Sequence, residues 1–139
     1  MMTEQILTVG HLVIARWQSF TPQGIERLLN TVRELVATGT PPIYVSMVGS
    51  DFVLPNAATR KLLLEATDEV RRTCANVCLV LDGDGIAFSA VRSIAAGMFL
   101  ARGDRRMKMY RSLRDVLVER AADRVDVVLD AARNAAIAA

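Results

Sequence analysis

The chain reads as an α/β domain: a mainly parallel sheet of four to five strands, opened by an N-terminal hairpin, with helices packed against it. Three observations predict this. Short β-rich runs alternate with helical stripes through the middle of the chain, the pattern of strand–helix–strand units with right-handed crossovers. Residues 77–81 form an unbroken apolar run, as a strand covered on both faces requires. Capping and breaking residues stand at the ends of the helical stripes, where the chain must stop and turn.

The elements follow in order. Residues 6–9 and 12–17 are β-rich and divided by Gly10-His11, which predicts a hairpin, a single bent strand being the alternative. Thr21 suits a helix N-cap and Pro22 the first helical position, while Phe20 and Ile25 can form a hydrophobic staple. Ile25, Leu28, Leu29, Val32, Leu35 and Val36 then repeat on one helical face, and Gly39 followed by Pro41-Pro42 ends the helix. Residues 43–48 predict the next strand, with Gly49-Ser50-Asp51 as its exit. Asn56 can cap a second helix that turns Leu62, Leu63, Ala66 and Val70 inward and closes near Cys74. After the strand at 77–81 comes a third helix with a core stripe of Val91, Ile94, Ala95, Met98 and Phe99. Residues 106–110 alternate as a short edge strand, and Ser112 can cap a fourth helix. Residues 123–139 are a helical tail, either a fifth helix or a continuation of the fourth, outside a core of about residues 6–122.

Bulk properties narrow the class. With 139 residues, 52% hydrophobic and 23% charged, residues 1–139 predict one globular domain able to bury a core. Seventeen basic residues against fifteen acidic ones give a net charge of +2, too small to imply nucleic acid. Arg102, Arg105, Arg106, Lys108, Arg111 and Arg114 make a local excess relieved by Asp104; it reads as a solvated face or a patch for an acidic partner. Residues 1–5 are uncharged or acidic and no cleavage pattern follows them. The low-charge run at 86–101 contains Arg92 and is shorter than the ~20 residues of a spanning helix. A cytoplasmic protein without membrane insertion is the expectation. Cys74 and Cys78 have no histidines or further cysteines at zinc spacing, so two free thiols in a reducing compartment are expected.

The most informative stretch is CLVLDGDGIAFSAVRSIAAGMFL, residues 78–100: a buried strand, a glycine-carboxylate loop, and a helix opening on Phe88, Ser89 and Arg92. Such loops lie at the carboxyl ends of parallel strands, where ligands and partners of open α/β sheets gather. Element order and this stretch together resemble the STAS fold of anti-sigma-factor antagonists and sulfate-transporter tails. The closer likeness is to the bacterial STAS-like proteins grouped with Sec14-type domains. In the antagonists, an Asp-Ser-Ser/Thr-Gly turn opens the helix, and a hydroxyl there is phosphorylated by a partner kinase. Here VLDGDGIAFSAVRSIAAG stands in that place, without the Asp-Ser-Ser-Gly motif; its hydroxyls are Ser89 and Ser93, and Ser89 is nearest the switch by position. The resemblance covers about residues 6–122 and implies the fold and a regulatory protein partner.

The residues themselves offer a candidate site. Arg60 falls in the first turn or so of the second helix and Arg92 in the first turn of the third. If the strands before them are parallel neighbours, both reach one sheet edge, each opposing a helix dipole. One reading is an anion, phosphate or partner carboxylate, held by helix amides and two guanidinium forks. The other is that Arg60 and Arg92 pair with Asp51, Asp82 or Asp84 and brace the loops. Asp82 and Asp84 resemble a calcium loop only superficially, lacking the later ligands, and Gly83 and Gly85 suit a tight strand exit. Ser89 reads as an N-cap as readily as a phosphosite. The lone histidine, His11, sits in the hairpin turn, and no acid-base-nucleophile set assembles.

These readings predict a non-enzymatic regulatory or protein-binding module that uses the edge at residues 82–93. Asp82, Asp84, Ser89, Arg92, Ser93 and Arg60 would be its contacts, with no cofactor and no metal. The alternative is a carrier of a small or lipid-like ligand, its pocket between the sheet and the second and third helices and lined by Phe52, Leu54, Phe88 and Phe99. The alanine-valine stripe of the tail packs on the sheet or mates with a second copy as a homodimer.

Overall fold

The computed structural model describes residues 4–83, 88–97 and 105–137 with their side chains, and the helical backbone of 86–87 and 98–102. Strand β1 (Glu4–Val9) and β2 (Leu12–Ser19) form the hairpin, followed by α1 (Pro22–Ala37), β3 (Ile43–Val53), α2 (Ala57–Thr73) and β4 (Asn76–Leu81). The chain continues through α3 (Ile86–Arg102), β5 (Met107–Tyr110), α4 (Leu113–Arg120) and α5 (Val125–Asn134). The sheet has the order β1-β2-β3-β4-β5; β1 and β2 run antiparallel and every later pair is parallel. The α/β class, the mainly parallel sheet and the N-terminal hairpin are therefore as the sequence predicts.

Local chemistry accounts for the boundaries. Gly10 takes φ +58° in the hairpin turn, a region open to glycine and costly for other residues. Thr21 caps α1 by accepting from the Gly24 amide at 3.0 Å, with Pro22 as first helical residue. Gly39, at φ +94°, follows the last turn. Asn56 caps α2 by accepting from the Thr59 amide at 2.9 Å, and Cys74 closes it. Ser112 caps α4 through the Asp115 amide at 3.1 Å.

Two elements differ from expectation. Strand β3 continues past Val48 to Val53, because β2 also runs on to Ser19 and pairs with Val53 after a register shift. Helix α3 starts at Ile86, so Ser89 lies within its first turn and is not the N-cap, and Arg92 falls in the second turn. Phe88 fixes this start by burying itself against Val48 and Leu81.

Because β2 to β5 advance in one direction across the sheet, right-handed crossovers put α1, α2 and α3 on one face. Helices α4 and α5 cover the other. On that second face Leu12, Ile14, Val45, Met47, Cys78 and Val80 meet α4 and α5 in one dry cluster. The tail is a separate fifth helix belonging to this core: Val128 and Ala132 are wholly buried and Ile137 is 2% exposed. Its small-residue stripe is thus occupied by its own sheet.

Candidate functional site

The helix-covered face of α1–α3 is packed unevenly. At its α1 end, Val13, Ala15, Tyr44 and Val70 bury with Leu28 and Val32. Toward β4 the packing opens. Leu79, in a strand flanked on both sides, is only half-buried, whereas its neighbours Cys78 and Val80, facing α4 and α5, are 0% exposed. The gap is an apolar cavity of about 180 Å³ between the sheet, α2 and α3. Its floor is Tyr44, Ser46 and Leu79, and its walls include Leu63 and Ala66 of α2 and Val91 and Ala95 of α3.

The aromatic end of the cavity is ordered by contact. Trp17 and Phe20 rings lie 4.5 Å apart, and Phe52 meets Phe20 edge-on at 5.4 Å. Trp17 donates from Nε1 to the Tyr44 hydroxyl at 3.1 Å, a buried bond that satisfies the indole. Burial pushes the Tyr44 phenol up to about 12, partly offset by hydrogen bonding with Ser46 and Trp17. Apolar side chains also stand at the mouth: Leu54 is 52% exposed and Ile94 52%.

Ile94 and Leu62 were expected in the core and are exposed instead, because periodicity assigns a face but not whether neighbours cover it. Of the expected lining, Phe52 and Leu54 border the cavity, while Phe88 fills the seam between Val48 and Leu81. Phe99 has its side chain outside the described residues.

The predicted site residues divide between two places. Arg60 reaches the cavity wall and is the single charged residue there among the described residues. Its side chain has no hydrogen-bonding or ionic partner among the described residues, while its backbone amide donates to the Asn56 carbonyl. Arg92 borders a different recess, at the exits of β4 and β5, together with Asp82 and Arg111. There it donates to the Gly83 carbonyl at 2.9 Å and lies 5.5 Å over the Phe88 ring. The two arginines are thus not gathered around one recess. Ser89 and Ser93 are exposed on α3, and Asp84 lies outside the described residues.

Asp82 and Asp51 are engaged by Arg16, which sequence reading did not single out. Arg16 meets Asp82 at 3.2 Å and Asp51 at 3.9 Å, bracing the exits of β3 and β4. The signal was an arginine inside the otherwise apolar run at residues 12–17. Among the described residues no cluster of three or more His, Cys, Asp or Glu could hold a metal ion. Both thiols are free, and burial pushes each up to about 11, away from nucleophilic use. Among the described residues no helix is long and apolar enough to cross a membrane. No protein-family model, curated protein or solved structure matches the chain.

Proposed function

We propose that this protein is a non-enzymatic binding module that takes a small, largely apolar ligand into the cavity between its sheet and helices α2 and α3. One observation carries the reading: Leu79 on the central strand β4 is half-buried while Cys78 and Val80 beside it are sealed. Close packing is the rule in protein interiors, and a domain able to seal one face of its sheet completely leaves the other open where α2 and α3 part. At about 180 Å³ the cavity is below the ~300–1,000 Å³ of drug-sized sites but comparable to a ~150 Å³ apolar cavity that admits benzene. A cytoplasmic setting belongs to the proposal, supported by the two free thiols. So does the STAS-like resemblance, supported by the element order.

Trp17 supplies the test, since it is the only tryptophan and lies on the cavity wall. Titration with 1-octanol is expected to change its emission saturably and raise the melting temperature. Ala95→Leu fills the space from α3 and removes the response while the unliganded variant stays folded. A response that never saturates, or one unchanged by Ala95→Leu, would refute the reading.

A second reading is favoured by the double duty of α3. Val91 and Ala95 wall the cavity, while Ser89, Arg92 and Ser93 are exposed on the same helix. The edge at residues 82–93 would then present a protein-binding surface whose position reports cavity occupancy. Native mass spectrometry of tagged protein isolated from its own cells tests this. A partner lost on Arg92→Ala, or a phosphate on Ser89, supports it, and a bare chain argues against it.

A further inference from the structure

The charge at the cavity narrows the ligand class, and this inference rests on the ligand-binding reading above. The lining is apolar almost throughout, and among the described residues its one charged side chain is Arg60. Arg60 is the fourth residue of α2, where a cation opposes the positive end of the helix dipole. Arg33 of α1, by contrast, makes two bonds to Glu69 of α2, at 2.7 and 2.6 Å. Arg60 has no such partner among the described residues. A guanidinium in this setting presents a flat two-pronged donor beside an apolar opening, with exposed Leu54 close in the chain and part of the same lining. That combination suits a molecule with a carboxylate at one end and a hydrocarbon chain at the other.

We infer that the cavity binds a medium-chain carboxylate, its head on Arg60 at the mouth and its chain directed inward toward Leu79 and the Trp17–Tyr44 pair. The space sets the length. At ~30 Å³ per water-sized group, 180 Å³ takes roughly six methylenes, with further carbons bridging the mouth to Arg60. The Tyr44 hydroxyl is engaged by Trp17 Nε1, which leaves the floor suited to a methyl end and not to a charged one.

The experiment compares octanoate with 1-octanol on the full chain by calorimetry at neutral pH and low salt. Octanoate is expected to bind about three- to tenfold tighter, an advantage limited by the exposure of Arg60. Arg60→Gln should bring octanoate binding down to that of octanol in the same variant; Arg60→Lys should keep part of the advantage, since the charge remains and the fork is lost. Equal binding of the two probes, or an octanoate preference that survives Arg60→Gln, would overturn the carboxylate inference and leave the cavity reading standing. Binding of neither probe would overturn both.

Discussion

Arg16 of β2 donates from Nη1 to Oδ2 of Asp82, just beyond the end of β4, at 3.2 Å, reaching across the whole width of β3. Gly49 makes this span feasible: a Cβ there would stand 2.5 Å from Arg16 Nη2 and 3.1 Å from Asp82 Oδ1. The guanidinium therefore lies over a glycine with Asp51 on its other side. Replacing Arg16 by Met leaves Asp51 and Asp82 close together without a counter-charge. Because all three groups are partly exposed, the expected loss is about 1 kcal/mol, shrinking at high salt. Urea unfolding at low and high salt checks it, and a loss that does not depend on salt would show that the aliphatic stem, not the charge, matters.

Two glycines that look alike in sequence should respond oppositely to alanine. A Cβ on Gly83 would stand 2.5 Å from the Ser50 amide nitrogen and 2.8 Å from its Cα, both rigid backbone in β3. Gly83→Ala is expected to destabilise by about 1–3 kcal/mol, as overpacking does. Gly97, within α3, has nothing among the described residues within 4 Å of its added Cβ. Gly97→Ala should stabilise by roughly 0.5–1 kcal/mol through helix propensity and unfolded-state entropy. Thermal melts of the two variants, run together, give opposite signs if the β3–β4 exits are packed as described.

What the sequence could reveal follows from the range over which each feature is determined. The caps Thr21, Asn56 and Ser112 act within three residues, so each is legible and each is found in place. The parallel order is legible because an alternating strand–helix chain permits few arrangements. Arg16, Asp51 and Asp82 are far apart in the chain and meet only through the register of three strands, which no local pattern encodes. The cavity is hidden for a related reason. Leu79 and Cys78 are both apolar strand residues in sequence, and their difference depends on how closely α3 and α4–α5 approach opposite faces.

Alkaline pH should unfold the protein earlier than its secondary structure suggests. Burial pushes Cys74 and Cys78 up to about 11 from 9.0, and Tyr44 and Tyr110 up to about 12 from 10.0. Each group is held neutral when folded, so above its unfolded value the unfolded chain binds fewer protons than the native one. Stability is thus fully present below about pH 9 and falls as pH rises through 11 and 12. Urea midpoints from pH 8 to 11 should decline, and Cys78→Ala should flatten that decline while lowering the starting value. An equal slope in wild type and variant would mean that Cys78 ionises as freely in the fold as outside it.

Trp17 and Tyr44 join the cavity wall to its floor through one buried hydrogen bond. Trp17 is 0% exposed and its Nε1 finds an acceptor in the Tyr44 hydroxyl, itself 6% exposed. Tyr44→Phe keeps the ring and removes the acceptor, leaving a buried indole N–H unsatisfied at a cost of about 1–3 kcal/mol. Trp17→Phe alone removes the donor but also ring volume, so it should cost more through the cavity it leaves. The informative measurement is the double variant. If the bond is the main coupling, Trp17→Phe with Tyr44→Phe should be less destabilised than the sum of the singles, because neither polar group is left stranded. Strict additivity would mean that Ser46 or water satisfies the indole once Tyr44 is gone. The floor would then be wetter than its apolar lining implies, and less suited to a hydrocarbon chain.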